Sequence, residues 1–308
     1  MSNSVLLTGG LGYLGGRLAC SLVASGFEVR CGTRRCSMAP PDWLPAMSIA
    51  ELDWSSIDSL TDACRGVDQV IHLAARAGVR PSLLEPALYQ RVNVEGTVNL
   101  LEAGRTCGVK KFTLASSSSV YGTNAKVPFA ESDPVFQPIS PYAASKMACE
   151  SLGHVYHQVY GFDIAMLRFF TVYGPRQRPD LAIHKFAGLI SAGLPIPVFG
   201  DGSTERDYTY SDDIVAGVMA CTRREFGFEV FNLGESQTVR LDHLITLLET
   251  SLGKRAVIER HPAQPGDVPR TFADITKARA WLGYDPQTRI AEGIPRFVDW
   301  FRSADRAA

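Results

Sequence analysis

Short apolar stretches alternate with longer amphipathic stretches through the first half of the chain. The apolar stretches are rich in Val, Ile and Leu and predict strands, whereas the stretches between them have the periodicity of helices. The predicted strands are residues 4–8, 28–32, 48–52, 69–73, 111–116 and 164–169. The predicted helices are residues 15–25, 56–64, 86–107 and 142–160. This alternation predicts an α/β fold with a doubly wound parallel sheet.

Proline and glycine interrupt this pattern beyond residue 175. We therefore expect residues 1–174 to form the first domain and residues 175–308 to form mainly a smaller, less regular part. The two parts are expected to interleave near residues 208–234, because residues 208–221 predict a helix and residues 229–233 predict a strand that can return to the first sheet.

The charge balance argues against function classes that need a strongly basic protein. The chain has 308 residues, with 31 Lys and Arg against 32 Asp and Glu, so its charge does not favour nucleic acid or an anionic membrane as a partner. The 7 cysteines form no Cys-x-x-Cys pair, which is typical of reduced thiols in a cytoplasmic protein. No apolar stretch approaches the roughly 20 residues that span a bilayer, and the start of the chain lacks the pattern of a signal peptide. His154 and His157 have helical spacing but no third ligand nearby, so we expect no metal site.

A glycine-rich turn follows the first predicted strand and opens the first predicted helix. It reads Thr8-Gly9-Gly10-Leu11-Gly12-Tyr13-Leu14-Gly15. At such a turn, backbone N–H groups approach a pyrophosphate at the N-terminus of the helix, and a Cβ at the glycine positions would block the approach. Strand and helix flank the turn as required, so it predicts a dinucleotide site within residues 1–174, in a Rossmann-type sheet.

Tyr142 and Lys146 have i, i+4 spacing in the predicted helix 142–160. That spacing places both side chains on one face of the helix, where an ammonium group stabilises the phenolate form of a tyrosine. Tyr142 is therefore a candidate general base. Two unrelated residues on a helix surface would show the same spacing, so the pair needs support from other motifs.

The spacing of Gly9, Gly12 and Gly15, together with Tyr142-x-x-x-Lys146, resembles the short-chain dehydrogenase/reductase superfamily. Residues 53–54, 72–75, 93–97 and 116–122 resemble its extended branch, which modifies nucleotide sugars. The resemblance implies that Tyr142 and Lys146 are catalytic and that Ser117 places its hydroxyl beside Tyr142. With the glycine turn and the end of the second predicted strand, it gives the cofactor-binding residues that we expect, which are Gly9, Gly12, Tyr13, Leu14, Gly15, Thr33, Arg34, Asp53, Trp54, Leu73, Ala74, Ala75, Asn93, Ser116, Tyr142 and Lys146.

The end of the second predicted strand departs from the pattern of NAD-binding members. These members carry an acidic residue there, which accepts hydrogen bonds from the ribose 2′-OH. This chain reads Cys31-Gly32-Thr33-Arg34-Arg35 instead. Two arginines suit the 2′-phosphate of NADP, whereas the epimerases that the chain resembles retain tightly bound NAD. We expect NAD, and NADP remains an alternative.

Ser118 and Ser119 decide which reaction we expect. The resembling 4,6-dehydratases carry Asp-Glu at these positions, and UDP-glucuronate decarboxylases carry a glutamate immediately before the Val-Tyr-Gly of residues 120–122. Without either carboxylate, the chain lacks an evident group for elimination. The resemblance then implies that Tyr142 takes the proton of a sugar hydroxyl while hydride passes from the same carbon to the nicotinamide. Return of the hydride to the other face of the ketone is epimerisation at C4.

Residues 168–180 resemble the UDP-glucuronate 4-epimerases, as do residues 77–80, 199–210 and 265–270. The resemblance implies that Arg206 and Arg270 bind the diphosphate, for which a bidentate guanidinium is suited. The hydroxyls of Ser118, Ser119 and Thr171 are candidates for holding the sugar carboxylate, and Arg80 is a further candidate. The other substrate residues that we expect are Ser117, Tyr142, Arg178 and Phe199.

We therefore expect an enzyme of this family that interconverts UDP-glucuronate and UDP-galacturonate. A UDP-glucose 4-epimerase is the nearest alternative, and a non-catalytic dinucleotide-binding sensor is the alternative from another class. The presence of Ser117, Tyr142 and Lys146 argues against a sensor. The resemblance also implies a homodimer through helices 86–107 and 142–160. Their apolar residues would suit a core equally well, among them Leu100, Leu101, Leu152 and Val155.

Overall fold

A parallel sheet of seven strands forms the centre of the molecule in a computed structural model, which describes residues 3–34, 41–262 and 268–305. The strands are β1 Ser4–Thr8, β2 Glu28–Thr33, β3 Ser48–Glu51, β4 Gln69–His72, β5 Lys111–Ser117, β6 Asp163–Phe169, β7 Thr171–Tyr173, β8 Pro195–Phe199, β9 Glu205–Tyr210, β10 Phe228–Leu233, β11 Thr238–Arg240 and β12 Val257–His261. The strands expected in the first half of the chain are thus confirmed, with ends that differ by a residue at most.

The order of strands in the large sheet is β10-β6-β5-β4-β1-β2-β3. The chain winds outward from β1 to β3 in one direction and from β4 to β6 in the other, so the winding reverses between β1 and β4. This is the doubly wound α/β fold of Rossmann type that the sequence predicts. In such sheets, ligands bind outside the carboxyl ends of the strands at the point of reversal.

Helices cover both faces of the large sheet. The helices of the described residues are α1 Tyr13–Ala24, α2 Ile57–Cys64, α3 Val79–Leu84, α4 Pro86–Tyr89, α5 Gly96–Thr106, α6 Pro141–Tyr160, α7 Ala182–Ala192, α8 Ser211–Thr222, α9 Leu241–Leu252, α10 Thr276–Leu282 and α11 Ile290–Asp305. Helices α1, α8 and α10 lie on one face of the large sheet, and α2, α5 and α6 lie on the other. None of the helices in the described residues is long and apolar enough to cross a membrane.

Residues 86–107 do not form the single regular helix that we expected. A π-helical turn, Gln90–Glu95, separates α4 from α5. In this turn the carbonyl of Asn93 accepts a hydrogen bond from Thr97 Oγ1 at 2.6 Å, and the side chain of Asn93 is buried. Apolar periodicity cannot reveal one widened turn, whereas π-turns occur frequently at functional sites.

The chain returns to the large sheet after its second part begins. β10 pairs in parallel with β6 at the sheet edge, as the pattern of residues 229–233 predicted. The prediction that a helix starts at Tyr208 was wrong, because residues 205–210 form β9 and α8 begins at Ser211. The sequence Tyr208-Thr209-Tyr210 is aromatic and β-branched, which favours a strand.

Alternate residues of β1 enter separate cores on the two faces of the sheet, as the pleat of a strand requires. Val5 and Leu7 pack with α1, α8 and α10, whereas Leu6 packs with α2, α5 and α6. A third apolar core, around Tyr173, lies between α7, α9 and α11 in the second part of the chain. The large sheet is therefore buried on both faces, and the edge formed by the carboxyl ends of its strands is the part available to bind ligands.

Candidate functional site

The predicted cofactor residues lie where the parallel strands end. The glycine turn follows β1, and residues 73–75 follow β4. Thr33 is the last residue of β2, and Arg34 follows it. Residues 117–119 lie at the end of β5. Because these strands are parallel, their carboxyl ends meet at one edge of the sheet. Arg35 lies outside the described residues.

The glycine turn is closed so tightly that side chains are excluded from it. Gly9 has a φ of +76°, its N–H donates to the carbonyl of Gly32 at 3.0 Å, and the N–H of Gly12 donates to the carbonyl of Gly9 at 2.9 Å. A Cβ at Gly15 would lie 2.0 Å from the carbonyl oxygen of Gly9. The turn therefore requires glycine at position 15.

Helix α1 begins immediately after this turn. Gly12 precedes its first residue, Tyr13, without a side-chain cap, and the first turn of the helix contains no acidic residue. The N-terminus of a helix attracts an anion through its backbone N–H groups and its dipole. A turn without side chains next to such a helix end fits the pyrophosphate of a dinucleotide.

Asp53 is the carboxylate that follows β3, the neighbour of β2. It accepts hydrogen bonds from the N–H of Ser55 at 2.9 Å and from its hydroxyl at 2.6 Å, and these bonds lower the pKa of Asp53. Its neighbour Trp54 lies 5.3 Å from the ring of His72, between ring centroids, and its carbonyl accepts from Asn99 Nδ2. The structure thus places Asp53 and Trp54 one strand beyond Thr33 and Arg34.

His72 and Asn93 hold the loop after β4, which contains Leu73, Ala74 and Ala75. His72 Nδ1 bonds to Thr8 Oγ1 at 2.7 Å, and burial, with a smaller effect of Lys146, lowers the pKa of His72 to about 3.

Asn93 forms hydrogen bonds with both the N–H and the carbonyl of Arg76, at 2.8 and 3.0 Å. Its Nδ2 also donates to Ser145 Oγ at 2.9 Å. The amide of Asn93 therefore ties the loop to α6, and direct contact with a cofactor remains a prediction.

Tyr142 and Lys146 lie on the first turns of α6. The helix is capped by Ser140, whose Oγ accepts from the N–H of Ala143 at 3.1 Å. Lys146 is 4% exposed and donates from Nζ to the carbonyl of Ala115 at 2.8 Å. Tyr142 is half-buried and packs edge-on against Tyr89, with ring centroids 6.2 Å apart. Lys146 is thus oriented toward β5, and Tyr142 lies one turn closer to the start of α6.

The serine run turns sharply at the end of β5. Ser116 is buried, and residues 118–121 form a 3-10 turn. Ser117 Oγ accepts from the N–H of Ser119 at 3.2 Å and from its hydroxyl at 3.0 Å. Ser117 pairs with Phe169 on β6, so the turn adjoins the start of β7, where Thr171 lies. The hydroxyls of the serine run and of Thr171 therefore come from adjacent strand ends.

Arg178 lies beside Tyr142. Its guanidinium bonds to Asp180 at 2.9 Å, which raises the pKa of Arg178, and the phenols of Tyr142 and Tyr89 add smaller electrostatic contributions. A cavity of about 630 Å³ adjoins this segment, lined by Gly12 and Tyr13 of the glycine turn and by residues 176–179. The structure thus brings Arg178 close to both the predicted base and the predicted cofactor turn.

The remaining predicted substrate residues lie in two further pairs. The guanidinium of Arg80 lies 4.7 Å from the ring centroid of Phe199. Arg270 bonds to the carboxylate of Glu205 at 2.7 Å, and Arg206 donates to the carbonyl of Glu205 at 2.8 Å. Arg206 thus lies in β9 and Arg270 lies beside it, and β9 belongs to the three-stranded sheet that also contains Thr171.

A family model described as the NAD dependent epimerase/dehydratase family matches residues 5–234, which include the glycine turn, the serine run and the Tyr142–Lys146 pair. The chain belongs to this family. The match also extends across β10, the strand that returns to the large sheet.

Relatives in this family support a narrower assignment. The UDP-glucuronate 4-epimerase of Thermodesulfobacterium geofontis is 46% identical over 235 residues, which is 76% of this chain and 72% of that protein. A probable UDP-glucuronate 4-epimerase of Rhizobium meliloti is 34% identical and covers 98% of each chain. An uncharacterised protein of Methanocaldococcus jannaschii is 46% identical over 82% of this chain and 78% of its own length.

Solved structures of family members have the same fold. MoeE5 in complex with UDP-glucuronic acid and NAD aligns with a TM-score of 0.89 at 35% identity, over 98% of this chain and 99% of its own. The UDP-glucuronic acid 4-epimerase of Bacillus cereus, also in complex with UDP-glucuronic acid and NAD, aligns with a TM-score of 0.90 at 32% identity and the same coverage.

Sequence reasoning missed several residues that support the site. They are the buried His72, Tyr89 against Tyr142, and the buried ion pair of Glu150 and Arg168 behind the serine run. Glu150 follows Lys146 at the same spacing that links Lys146 to Tyr142, and that repeat was the available signal.

Proposed function

We propose that the protein is an NAD-dependent UDP-sugar 4-epimerase that interconverts UDP-glucuronate and UDP-galacturonate. The observation that carries this proposal is the 3-10 turn after β5, where Ser118 and Ser119 offer hydroxyls and no carboxylate. Tyr142 takes the proton of the sugar hydroxyl, and the turn provides no carboxylate that would eliminate water from the keto sugar. Epimerisation is therefore the expected outcome. The relatives named UDP-glucuronate 4-epimerase support the choice of substrate.

The glycine turn and its neighbours are suited to hold NAD. Gly9, Gly12 and Gly15 admit a pyrophosphate to the N-terminus of α1, with Tyr13 and Leu14 in the first turn of that helix. When bound, NAD accepts and returns a hydride at its nicotinamide. We assign the ribose and adenine to the ends of β2 and β3, where Asp53 is the nearby carboxylate. Cofactor released by denaturation should have the mass of NAD, and recovery of NADP would contradict this assignment.

Tyr142 is the proposed general base. Its helix places Lys146 one turn further on and on the same face, where the buried ammonium suits the nicotinamide ribose. Ser117, whose hydroxyl lies at the neighbouring strand end, is assigned to hydrogen-bond the reacting oxygen. Tyr142 thus takes the proton of the C4 hydroxyl and returns it when the ketone is reduced.

The hydroxyls of Ser118, Ser119 and Thr171 are proposed to hold the sugar carboxylate. A 4-keto uronate is a β-keto acid and loses CO₂ when its carboxylate C–C bond aligns with the ketone π system. Hydrogen bonds that hold the carboxylate near the ring plane slow that loss, and they are strengthened by its charge. Arg178 and Arg80 are proposed to supply positive charge, and Phe199 supplies an aromatic face beside Arg80.

The carboxylate assignment is tested by the double variant Ser118→Ala with Thr171→Ala. We expect weaker use of UDP-glucuronate or release of a UDP-pentose, measured by chromatography of the products. Thr246→Ala, which removes a hydroxyl that bonds within α9, is the matched control and should match wild type. An unchanged product profile in the double variant would count against these hydroxyls.

Arg206 and Arg270 are proposed to bind the diphosphate. Both guanidinium groups flank Glu205, so their charges are already concentrated at the start of β9. The carboxylate of Glu205 holds Arg270, whereas its backbone carbonyl holds Arg206. A bidentate guanidinium is suited to a phosphate.

A homodimer through α6 is part of the same proposal. Leu100 and Leu101 are fully buried in the core, whereas Val155 and Val159 are 48% and 63% exposed at i, i+4 spacing on α6. Such an apolar stripe on a surface helix suits a second copy of the chain. Sedimentation of the wild-type protein and of Val159→Glu should show a dimer and a monomer, respectively, and a monomeric wild type would contradict the proposal.

The division near residue 174 and the cytoplasmic location also stand as proposals. The third core around Tyr173 supports a separate nucleotide-sugar-binding part, with α8 and β10 returning to the first domain. The cysteines that the structure describes are free thiols, which suits a reducing compartment.

The proposed function is tested by comparing Tyr142→Phe with Tyr160→Phe, a more exposed tyrosine of the same helix. Each protein is incubated with UDP-glucuronate and, separately, with UDP-glucose. We expect Tyr142→Phe to lose turnover by at least about 100-fold and Tyr160→Phe to retain it. Turnover that survives in Tyr142→Phe, or a preference for UDP-glucose, would contradict the assignment.

A further inference from the structure

Glu150 and Arg168 form a buried ion pair directly behind the proposed active site. Arg168 donates from Nε to Glu150 Oε1 at 2.9 Å and from Nη2 to Oε2 at 2.7 Å. The two side chains are 9% and 4% exposed, respectively. A bidentate pair of this kind has a defined geometry, and removal of one partner alone leaves an uncompensated buried charge.

The carboxylate of this pair is bonded to the serine run. Ser116 Oγ donates to Glu150 Oε1 at 2.5 Å, and Lys146 Nζ donates to the carbonyl of the preceding residue, Ala115, at 2.8 Å. Tyr142, Lys146 and Glu150 repeat at i, i+4 spacing and therefore share one face of α6. Helix α6 thus holds two consecutive residues of β5 immediately before Ser117.

The guanidinium of the pair holds the other end of the same turn. Arg168 Nη1 donates to Tyr121 Oη at 3.0 Å, and the guanidinium lies 4.8 Å from the centroid of the Tyr121 ring. Tyr121 closes the 3-10 turn of residues 118–121 and donates in turn to Asn232 Oδ1 at 2.7 Å. The turn that contains Ser118 and Ser119 is therefore fixed at both ends by one ion pair.

We propose that Glu150 and Arg168 are positioning residues for the epimerisation. The pair fixes the hydroxyl of Ser117 relative to Tyr142, and Arg168 balances the charge of Glu150, so that this carboxylate does not offset the positive charge of Lys146 one turn away. This inference rests on the proposed function, because it assigns the pair to the base and hydroxyl of that reaction.

Most other titratable groups near this region have pKa values that burial moves away from neutral pH. Burial lowers the pKa of His72 on β4 to about 3 and raises the pKa of Tyr89, Tyr121 and Cys149. Burial also raises the pKa of Glu131, which moves that carboxyl toward neutral pH, so every variant is compared with the wild-type profile. Arg178 is paired with Asp180. A change of charge at Glu150 or Arg168 should therefore register in the pH dependence of the base.

The test uses Glu150→Gln, Arg168→Lys and the double variant Glu150→Gln with Arg168→Met, each as the purified full chain. In Glu150→Gln an uncompensated guanidinium remains, so the acidic midpoint of the kcat–pH profile should move down by about half a pH unit. The double variant buries no charge, so its midpoint should return to the wild-type value. Its kcat should remain about tenfold below wild type, with KM within about twofold, because Ser117 is less well placed.

Arg168→Lys retains the positive charge but loses the bidentate hydrogen bonds to Glu150. We therefore expect a wild-type midpoint in the kcat–pH profile and a lowered kcat. The partly buried pair Lys277 and Glu229, at 28% and 25% exposure, is the control. Its double neutralisation, Lys277→Met with Glu229→Gln, should leave the pH midpoint and kcat unchanged.

An unshifted midpoint in Glu150→Gln, or wild-type kcat in the double variant, would overturn the inference. If Glu150→Gln does not fold, the kcat of the double variant and of Arg168→Lys decides the question, and wild-type values in both overturn it. A wild-type protein that turns over no UDP-glucuronate contradicts the proposed function as well. An active wild type with unaffected variants contradicts the positioning role alone.

Discussion

Gly15 is the position at which one added methyl group should disturb the cofactor site most. A Cβ there would lie 2.0 Å from the carbonyl oxygen of Gly9, 2.7 Å from its carbonyl carbon and 2.9 Å from Gly10 Cα. All three atoms belong to the backbone of the glycine turn. No rotation of a side chain can relieve the contact, so the turn itself must move.

The size of the effect follows from two opposing contributions. Alanine is favoured over glycine inside a helix by about 1 kcal/mol, and Gly15 lies in α1. Extra volume in a packed region costs about 1–3 kcal/mol, so the clash should offset the gain. Bringing the contact from 2.0 Å to an allowed separation needs a shift of about 1 Å, and a misplacement of that size costs on the order of 100-fold in function. We therefore expect Gly15→Ala to lose most of its bound NAD.

The assay is the amount of NAD per chain that denaturation releases from the purified variant, together with its turnover. Gly188→Ala is the matched control, because Gly188 lies inside α7 and its Cβ would meet nothing within 4 Å. The control should retain NAD and gain about 0.5–1 kcal/mol in free energy of unfolding. Wild-type NAD content and turnover in Gly15→Ala would refute the account of the glycine turn.

Two further predictions concern buried polar groups. Asn93→Ala should lower the free energy of unfolding by about 2–3 kcal/mol in urea denaturation, because Arg76 and Ser145 lose buried partners. The control Asn99→Ala removes one hydrogen bond to the carbonyl of Trp54 and should lower the free energy of unfolding by less. Equal losses in the two variants would contradict this role of Asn93. Burial raises the pKa of Glu235 from 4.5 to about 7 despite its bond to Arg289. Because the unfolded chain releases this proton first as pH rises, Glu235 should lower stability progressively between about pH 4.5 and 7. Glu235→Gln should therefore gain stability relative to wild type across that window, and a constant difference would contradict the shift.

The strands and the location of the site could be predicted from the sequence for a simple physical reason. Strands buried on both faces are short apolar stretches, and the residues that follow parallel strands must meet at one edge. Gly9, Asp53 and Leu73 each follow a parallel strand and Ser117 ends one, so all four lie along the same edge. The confirmed return of residues 229–233 to the sheet follows from the same apolar signal.

Long-range polar contacts could not be predicted in the same way. The partner of Glu150 is Arg168, which lies on a different element, and no local pattern links the two. The π-turn at Asn93 depends on hydrogen bonds to Arg76, Thr97 and Ser145 that arise only after folding. Likewise, Tyr208 belongs to β9 because β7 is available to pair with it.

The fate of the hydrogen on C4 tests the central claim most directly. The purified protein is incubated with UDP-glucuronate that carries deuterium at C4, and the products are resolved by chromatography and mass. We predict UDP-galacturonate that retains the deuterium at C4, because Tyr142 exchanges only the hydroxyl proton and Ser118 and Ser119 provide no carboxylate for elimination. Loss of deuterium to water, or a UDP-pentose as the main product, would contradict the account.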